Sequence, residues 1–245
     1  MKHILVLGMT LILFISASAQ QKVTQFLGIP VDGPKSAMVQ KLKAKGFTYD
    51  AKLDCLEGEF NGRMVKLHIV TNNRKVWRIV IEDAYPTRNE ADIRIRFNTL
   101  CRQFSKNRKY IPADQVGDFE IDENEDISGQ ILLYNKRYEA GYLQITEDEK
   151  KTISTNKENF EKFKRGQEQL QKKYDENGEN SISETALEQV KKDIDNTLSD
   201  MQTTLSIWEA ISNRSVWFMI AEQYGRYSII MYYDNEYNHS DGEDL

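Results

Sequence analysis

Cys55, His68 and Arg78 are the residues of this chain whose types could make a nucleophile. If Leu53 to Glu82 folds as three antiparallel strands, Cys55 falls opposite His68 and Arg78 falls on the other side of His68. A thiol beside imidazole and guanidinium is easily ionised, because nearby positive charge lowers its pKa. Glu57 and Glu59 share that face. Their Cβ atoms lie about 7 Å apart by strand rise, a separation at which paired carboxyls can cleave glycosides. Each set has a plainer account. Cys55 could bridge Cys101, closing a loop of about 46 residues at roughly 3–4 kcal/mol, or both could be buried free thiols. Glu57 faces Lys66 and makes an ordinary cross-strand pair. Neither an oxyanion-hole nor a nucleophile-elbow pattern adjoins these residues.

Other chemistry has less support. After the leader only His68 and His239 remain, and neither a C-x-x-C nor an H-x-x-x-H spacing occurs, so no metal site is expected. The acidic runs at 122–126, 175–180 and 234–241 lack the sixth-position glycine of an EF-hand loop. Phosphate-loop, dinucleotide and serine-hydrolase motifs are absent, and no cofactor is expected. A binding surface is better supplied. Trp217, Phe218, Tyr224, Tyr227, Tyr232, Tyr233 and Tyr237 cluster near the C-terminus, and Trp217, Tyr224, Tyr227 and Tyr232 are the candidates for a platform taking peptide or sugar.

The elements that position these residues are legible in part. Phe26 to Pro30 reads as an edge strand. Asp32-Gly33-Pro34 starts a helix with Ala37, Met38 and Leu42 on one face, and Gly46 ends it. Asn61-Gly62 predicts a type I′ turn pairing Phe60 with Arg63, Gly58 with Val65 and Leu56 with Leu67. A three-residue loop, Asn72-Asn73-Arg74, then sets Ile69 opposite Trp77 and Leu67 opposite Ile79. The inner face becomes Leu56, Phe60, Val65, Leu67, Ile69, Trp77, Ile79 and Ile81. Thr87-x-x-Glu90 predicts a capping box opening a helix to Lys106. Gln130–Tyr134 and Tyr138–Ile145 predict a hairpin. Beyond Thr146 two long helices follow, broken at 175–180, the second opening at Ser181-x-x-Glu184. Its stripe, Leu187, Val190, Ile194, Leu198, Met201, Leu205 and Trp208, is expected to bury against Phe160, Phe163 and Leu170. Ser215–Glu222 and Arg226–Tyr233 form a hairpin about Tyr224-Gly225, followed by a loose polar tail from Asn235.

Compartment follows from the first residues. Lys2, the apolar run Ile4 to Ile15 and Ala17-Ser18-Ala19 make a signal peptide of residues 1–19. Its removal leaves 32 basic against 38 acidic residues, a net charge of −6, which disfavours nucleic acid as a partner. No later stretch is long and apolar enough to span a membrane.

The signal peptide, FLGIPVDGPKSAMVQKLKAKGF, LEGEFNG, KVWRIVIEDA and the ending MYYDNEYN…DGEDL resemble a group of uncharacterised secreted or periplasmic proteins of Bacteroidales bacteria. The resemblance covers the N-terminal half and the last hairpin and implies compartment rather than activity. The helix-then-meander order is similar, at the level of fold alone, to β-lactamase-inhibitor-like and outer-membrane assembly lipoprotein modules.

The expectation is an α+β protein: a three-stranded meander plus two hairpins, packed by helices, with an inserted helical hairpin. An N-terminal unit spans 20–146, and 147–245 carries the helical and final β-hairpins. A non-enzymatic binding module for an envelope protein or glycan, periplasmic or secreted, fits best. The alternative is a small envelope hydrolase using Cys55/His68 or Glu57/Glu59.

Overall fold

The structure, a computed structural model, describes residues 22–114, 117–177 and 183–239. The expected signal peptide, Ser181 and the last six residues lie outside them. Among the described residues no helix is long and apolar enough to cross a membrane.

In chain order the elements are β1 Gln25–Phe26, β2 Ile29–Pro30, α1 Lys35–Lys43, β3 Thr48–Asp50, β4 Cys55–Phe60, β5 Arg63–Asn72 and β6 Lys75–Asp83. Then come α2 Glu90–Lys106, β7 Tyr110–Pro112, α3 Ile127–Tyr134, β8 Glu139–Gln144, α4 Glu147–Asn177, α5 Glu184–Ser212, β9 Ser215–Gln223 and β10 Arg226–Asp234. β1 and β2 pair with each other, and the other eight strands form one antiparallel sheet in the order β3-β4-β5-β6-β10-β9-β8-β7. The expected α+β class, with antiparallel strands packed by helices, is borne out. The meander and the final hairpin share that sheet through β6 and β10.

Alternation sorts the sheet into two faces. Leu56, Val65, Leu67, Ile69, Ile79, Ile81, Tyr142, Val216, Phe218, Ile220, Met231 and Tyr233 are buried on one. The core is completed by Met38, Val39 and Leu42 of α1, by Ile93, Phe97, Leu100 and Phe104 of α2, and by Ile127 of α3. Residues of the opposite face, including Lys66, His68, Val70, Val80, Trp217, Met219, Ile230 and Tyr232, stay half-exposed. Gly58 is needed where it stands, since a Cβ there would lie 2.7 Å from the Phe47 ring.

The Asn61-Gly62 turn and its three register pairs are as expected. The second turn is not. Asn73 and Arg74 form a two-residue turn with both φ positive, and a β-bulge absorbs the change of register. Ile69 pairs with Ile79, Val70 with Arg78 and Thr71 with Val76, so Trp77 is the extra residue. Val76 is buried in place of Trp77, whose ring turns to the open face and meets His239 edge-on at 4.7 Å. The bulge keeps the apolar face inward while allowing the shorter turn.

Several elements differ from expectation because caps decide them. Residues 130–134 belong to α3 rather than to a strand: Asp126 Oδ1 accepts the Gly129 N–H at 2.9 Å, and Asn135 ends the helix in left-handed geometry. Its Leu132, Leu133 and Tyr134 are exposed. β8 therefore pairs with β7 and β9 instead. α2 is capped by Asn89, which accepts from Ala91 N–H at 2.9 Å, while Thr87 bridges Tyr227 and Glu90 reaches the Ile127 N–H at 3.0 Å. Pro34 caps α1 from outside the helix, and Val39 rather than Ala37 is buried. Ser183 caps α5, its Oγ accepting the Ala186 N–H at 3.2 Å. Phe26–Pro30 turns back on itself as β1 and β2. The start of the C-terminal tail is ordered rather than loose: Asn235 is fully buried and donates to the Val31 carbonyl at 2.8 Å, and Asn238 donates to Val76 O at 2.9 Å.

β8 and β9 are antiparallel neighbours, Leu143 opposite Ser215, with the whole of α4 and α5 inserted between them. The two helices form a two-helix arm rooted at that junction. Thr146 and Glu149 make a reciprocal capping box at the start of α4, 2.9 and 3.3 Å. Arg214 closes the root on Glu149 at 3.0 Å. Burial opposes ionisation of Glu149, but the Thr146 N–H and the Arg214 guanidinium outweigh it and hold its pKa below the ordinary glutamate value.

Candidate functional site

The meander positions Cys55 at the start of β4, next to β3 through its pairing with Asp50. Only 1% of Cys55 is exposed. Burial pushes its pKa up, and Glu57 and Asp50 push it the same way, the opposite of an activated thiolate. Cys101 lies on the core side of α2, and burial raises it to about 12. Both cysteines are free.

Arg78 does not stand beside His68. The bulge sets His68 opposite Val80 and moves Arg78 opposite Val70. There Arg78 makes a bidentate ion pair with Asp234, Nε to Oδ1 and Nη2 to Oδ2, both at 2.6 Å. Asp234 also accepts from the Trp217 indole N–H at 2.9 Å, and its main-chain carbonyl accepts from Thr24 Oγ1. The proposed row of thiol, imidazole and guanidinium is therefore not assembled. Glu57 pairs with Lys66 and Glu59 with Met64 as expected, and both carboxylates are exposed. Among the described residues no three His, Cys, Asp or Glu side chains gather to hold a metal.

The aromatic candidates separate into three places. Tyr224, 90% exposed, sits at the turn between β9 and β10. Tyr227 is buried, within 2.7 Å of Ser128 Oγ. Trp217 and Tyr232 are brought together: paired across β9 and β10, their rings stack at 4.0 Å and 14°. The Arg78 guanidinium lies 4.9 Å from the Tyr232 ring and 4.2 Å from Trp77. Flat groups thus follow one another across the open face as Trp217, Tyr232, Arg78, Trp77 and His239. Burial raises the Tyr232 phenol and Arg78 draws it back. The guanidinium also lies 5.7 Å from the Trp217 ring, so it stands beside the stacked pair rather than continuing the stack. Trp217 is paired on its other side with Gly141, so no β8 side chain stands against the indole there. The Ala113 side chain packs over Gly141 there, where a Cβ would lie 3.4 Å from it. The bulge brings Arg78 to Trp77 and Asp234, neither of which the sequence marks as part of a site.

A second concavity, about 1060 Å³, runs between the β1–β2 hairpin, the end of α2 and the β7–β8 edge. Its polar floor is Tyr110, Gln144, Arg214 and Tyr233. Gln144 Nε2 contacts Tyr110 Oη at 3.1 Å and donates to Gln25 O at 2.7 Å, whereas the buried Arg214 Nε has no partner. The floor comes from four separate stretches of chain with no local motif. None of Cys55, Glu57, Glu59, His68 and Arg78 lines this groove.

The arm shows the opposite of its expected packing. Val190, Asp193, Thr197, Asp200, Thr204 and Ile207 are half-buried at steps of three and four. Asn156 of α4 donates to Asp200 O and Thr204 Oγ1, both at 2.9 Å, and Asn159 donates to Asp200 Oδ2 at 2.9 Å. These polar contacts are interspersed with half-buried Phe163 and Leu170 of α4 and Val190 and Ile207 of α5. Leu187, Ile194, Leu198, Met201, Leu205 and Trp208 stay 40–66% exposed, as does Phe160 at 42%, instead of closing on one another.

The sequence matches no family model and no curated protein, and the fold matches no solved structure.

Proposed function

We propose that the chain is a non-enzymatic binding module of the bacterial cell envelope, periplasmic or secreted, that holds a protein or glycan partner on its open sheet face. The observation that carries this reading is the Trp217–Tyr232–Arg78 ladder, an aromatic surface locked in place by Asp234 on the half-exposed face of the sheet. Rigid aromatic anchors on a preorganised scaffold lose little entropy on binding. The leader and the resemblance to secreted Bacteroidales proteins support the compartment. The buried, unactivated Cys55 and the separation of Arg78 from His68 weigh against a cysteine hydrolase.

The test is recovery from an envelope extract on the immobilised chain, run beside Trp217→Leu. Selective, saturable recovery of one protein or glycan by the native chain, lost with Trp217→Leu while circular dichroism is unchanged, is the expected result. Equal recovery by the variant, or none by either, overturns the reading. Rapid labelling of Cys55 by iodoacetamide in the folded chain would reopen the hydrolase.

A further inference from the structure

α5 carries two interleaved series of residues at steps of three and four. The half-buried series from Val190 through Ile207 faces α4. The second, Leu187, Ile194, Leu198, Met201, Leu205 and Trp208, falls about one residue further on, roughly 100° around the helix. A helix with two such stripes has the pattern of one packed between two neighbours in a bundle. Among the described residues only one of those neighbours, α4, is present.

We propose that the missing neighbour is α5 of a second copy, so that two arms pair antiparallel into a four-helix bundle. The spacing of the stripe is nearly palindromic. Reversal about a point between Thr197 and Leu198 lays Leu187 on Trp208 and Ile194 on Met201, while Leu198 lies next to the axis and Leu205 comes over Val190 at the border of the α4 seam. That is what a two-fold, self-complementary contact requires, residue i meeting j while j meets i. Lys191 is the one charged residue along the stripe from Leu187 to Trp208.

The area is sufficient. Six large side chains, about half exposed, offer on the order of 600 Å² per copy if each spans about 200 Å² when bare, so two copies bury about 1,200 Å², the lower bound for a specific interface. The arm projects from the β8–β9 junction, and its stripe lies apart from the Trp217 ladder, so this assembly is independent of partner binding by the open sheet face.

Sedimentation velocity of residues 20–245 from 1 to 100 μM tests the proposal. A reversible monomer–dimer equilibrium is expected, weakened at least ten-fold by Leu198→Glu with Leu205→Glu and unchanged by Ser199→Glu with Ser206→Glu on the far side of α5. Helix content by circular dichroism is expected to be native in all three chains. Orientation is read by oxidative cross-linking: Leu198→Cys should link to its own counterpart, and Leu187→Cys should not. A monomer throughout the range, a dimer indifferent to the Leu198/Leu205 change, or self-linking of Leu187→Cys overturns it.

Discussion

At the residue scale, Arg78 shows how one side chain changes role when its register moves by two positions. Beside His68 it would lower a thiol pKa; opposite Val70 it is committed to Asp234, which is 2% exposed, with its guanidinium between Tyr232 and Trp77. Removing one member of such a pair leaves the other buried and uncompensated, which costs about 3 kcal/mol or more. Arg78→Ala is thus expected to destabilise the chain by about that amount in urea unfolding. The Arg78→Ala/Asp234→Asn double variant is expected to recover part of it, because the orphaned charge is gone. A single variant within 0.5 kcal/mol of native would show that the pair is not structural.

Among the elements, the turns and caps separate what could be read from what could not. Asn61-Gly62 announces its geometry, and the register followed from it residue by residue. Asn73-Arg74 conceals the same kind of turn, because arginine is a poor tenant of left-handed backbone; Arg74 nonetheless sits at φ 66°. Arg74→Gly is expected to raise stability by about 1 kcal/mol, seen as a higher melting temperature with an unchanged spectrum. α3 departs from the expected strand because four consecutive apolar residues, 131–134, fit a strand or a helix equally, and the deciding groups, Asp126 and Asn135, lie outside the run. The Thr146-x-x-Glu149 box that opens α4 carries the same signature in the sequence. On α5 the apolar series drew the packing assignment, while hydrogen bonds from Asn156 and Asn159 fix the half-buried series against α4 instead. The Trp217 ladder could not have been derived at all without knowing where the bulge falls, although Trp217 and Tyr232 themselves were visible candidates.

Across the whole molecule, a continuous eight-stranded sheet carries a helical layer on one side and a long arm inserted into one of its hairpins. The hydrophobic core draws nothing from α4, and from α5 only Ile211 is buried, near the root. The arm should therefore be separable from the fold that carries it. Replacing residues 153–207 with a short Gly-Ser linker, which keeps Glu149, Ile211 and Arg214, is expected to leave the melting temperature within a few degrees of native and the near-ultraviolet signature of Trp217 and Tyr232 intact. Loss of cooperative unfolding would show that the arm is part of the folding unit.

The insertion also sets an order in time. Leu143 and Ser215 face each other across a gap of about 70 residues, and closing so long a loop costs roughly 2–3 kcal/mol more than closing a tight turn. Helices zip in about a microsecond, and an arm already zipped delivers both strand ends to one place. Stopped-flow measurements are expected to show helical signal ahead of the Trp217–Tyr232 stacking signal. The same arm that reaches outward in the finished molecule would then serve, during folding, as the fastener that brings the two halves of the sheet together.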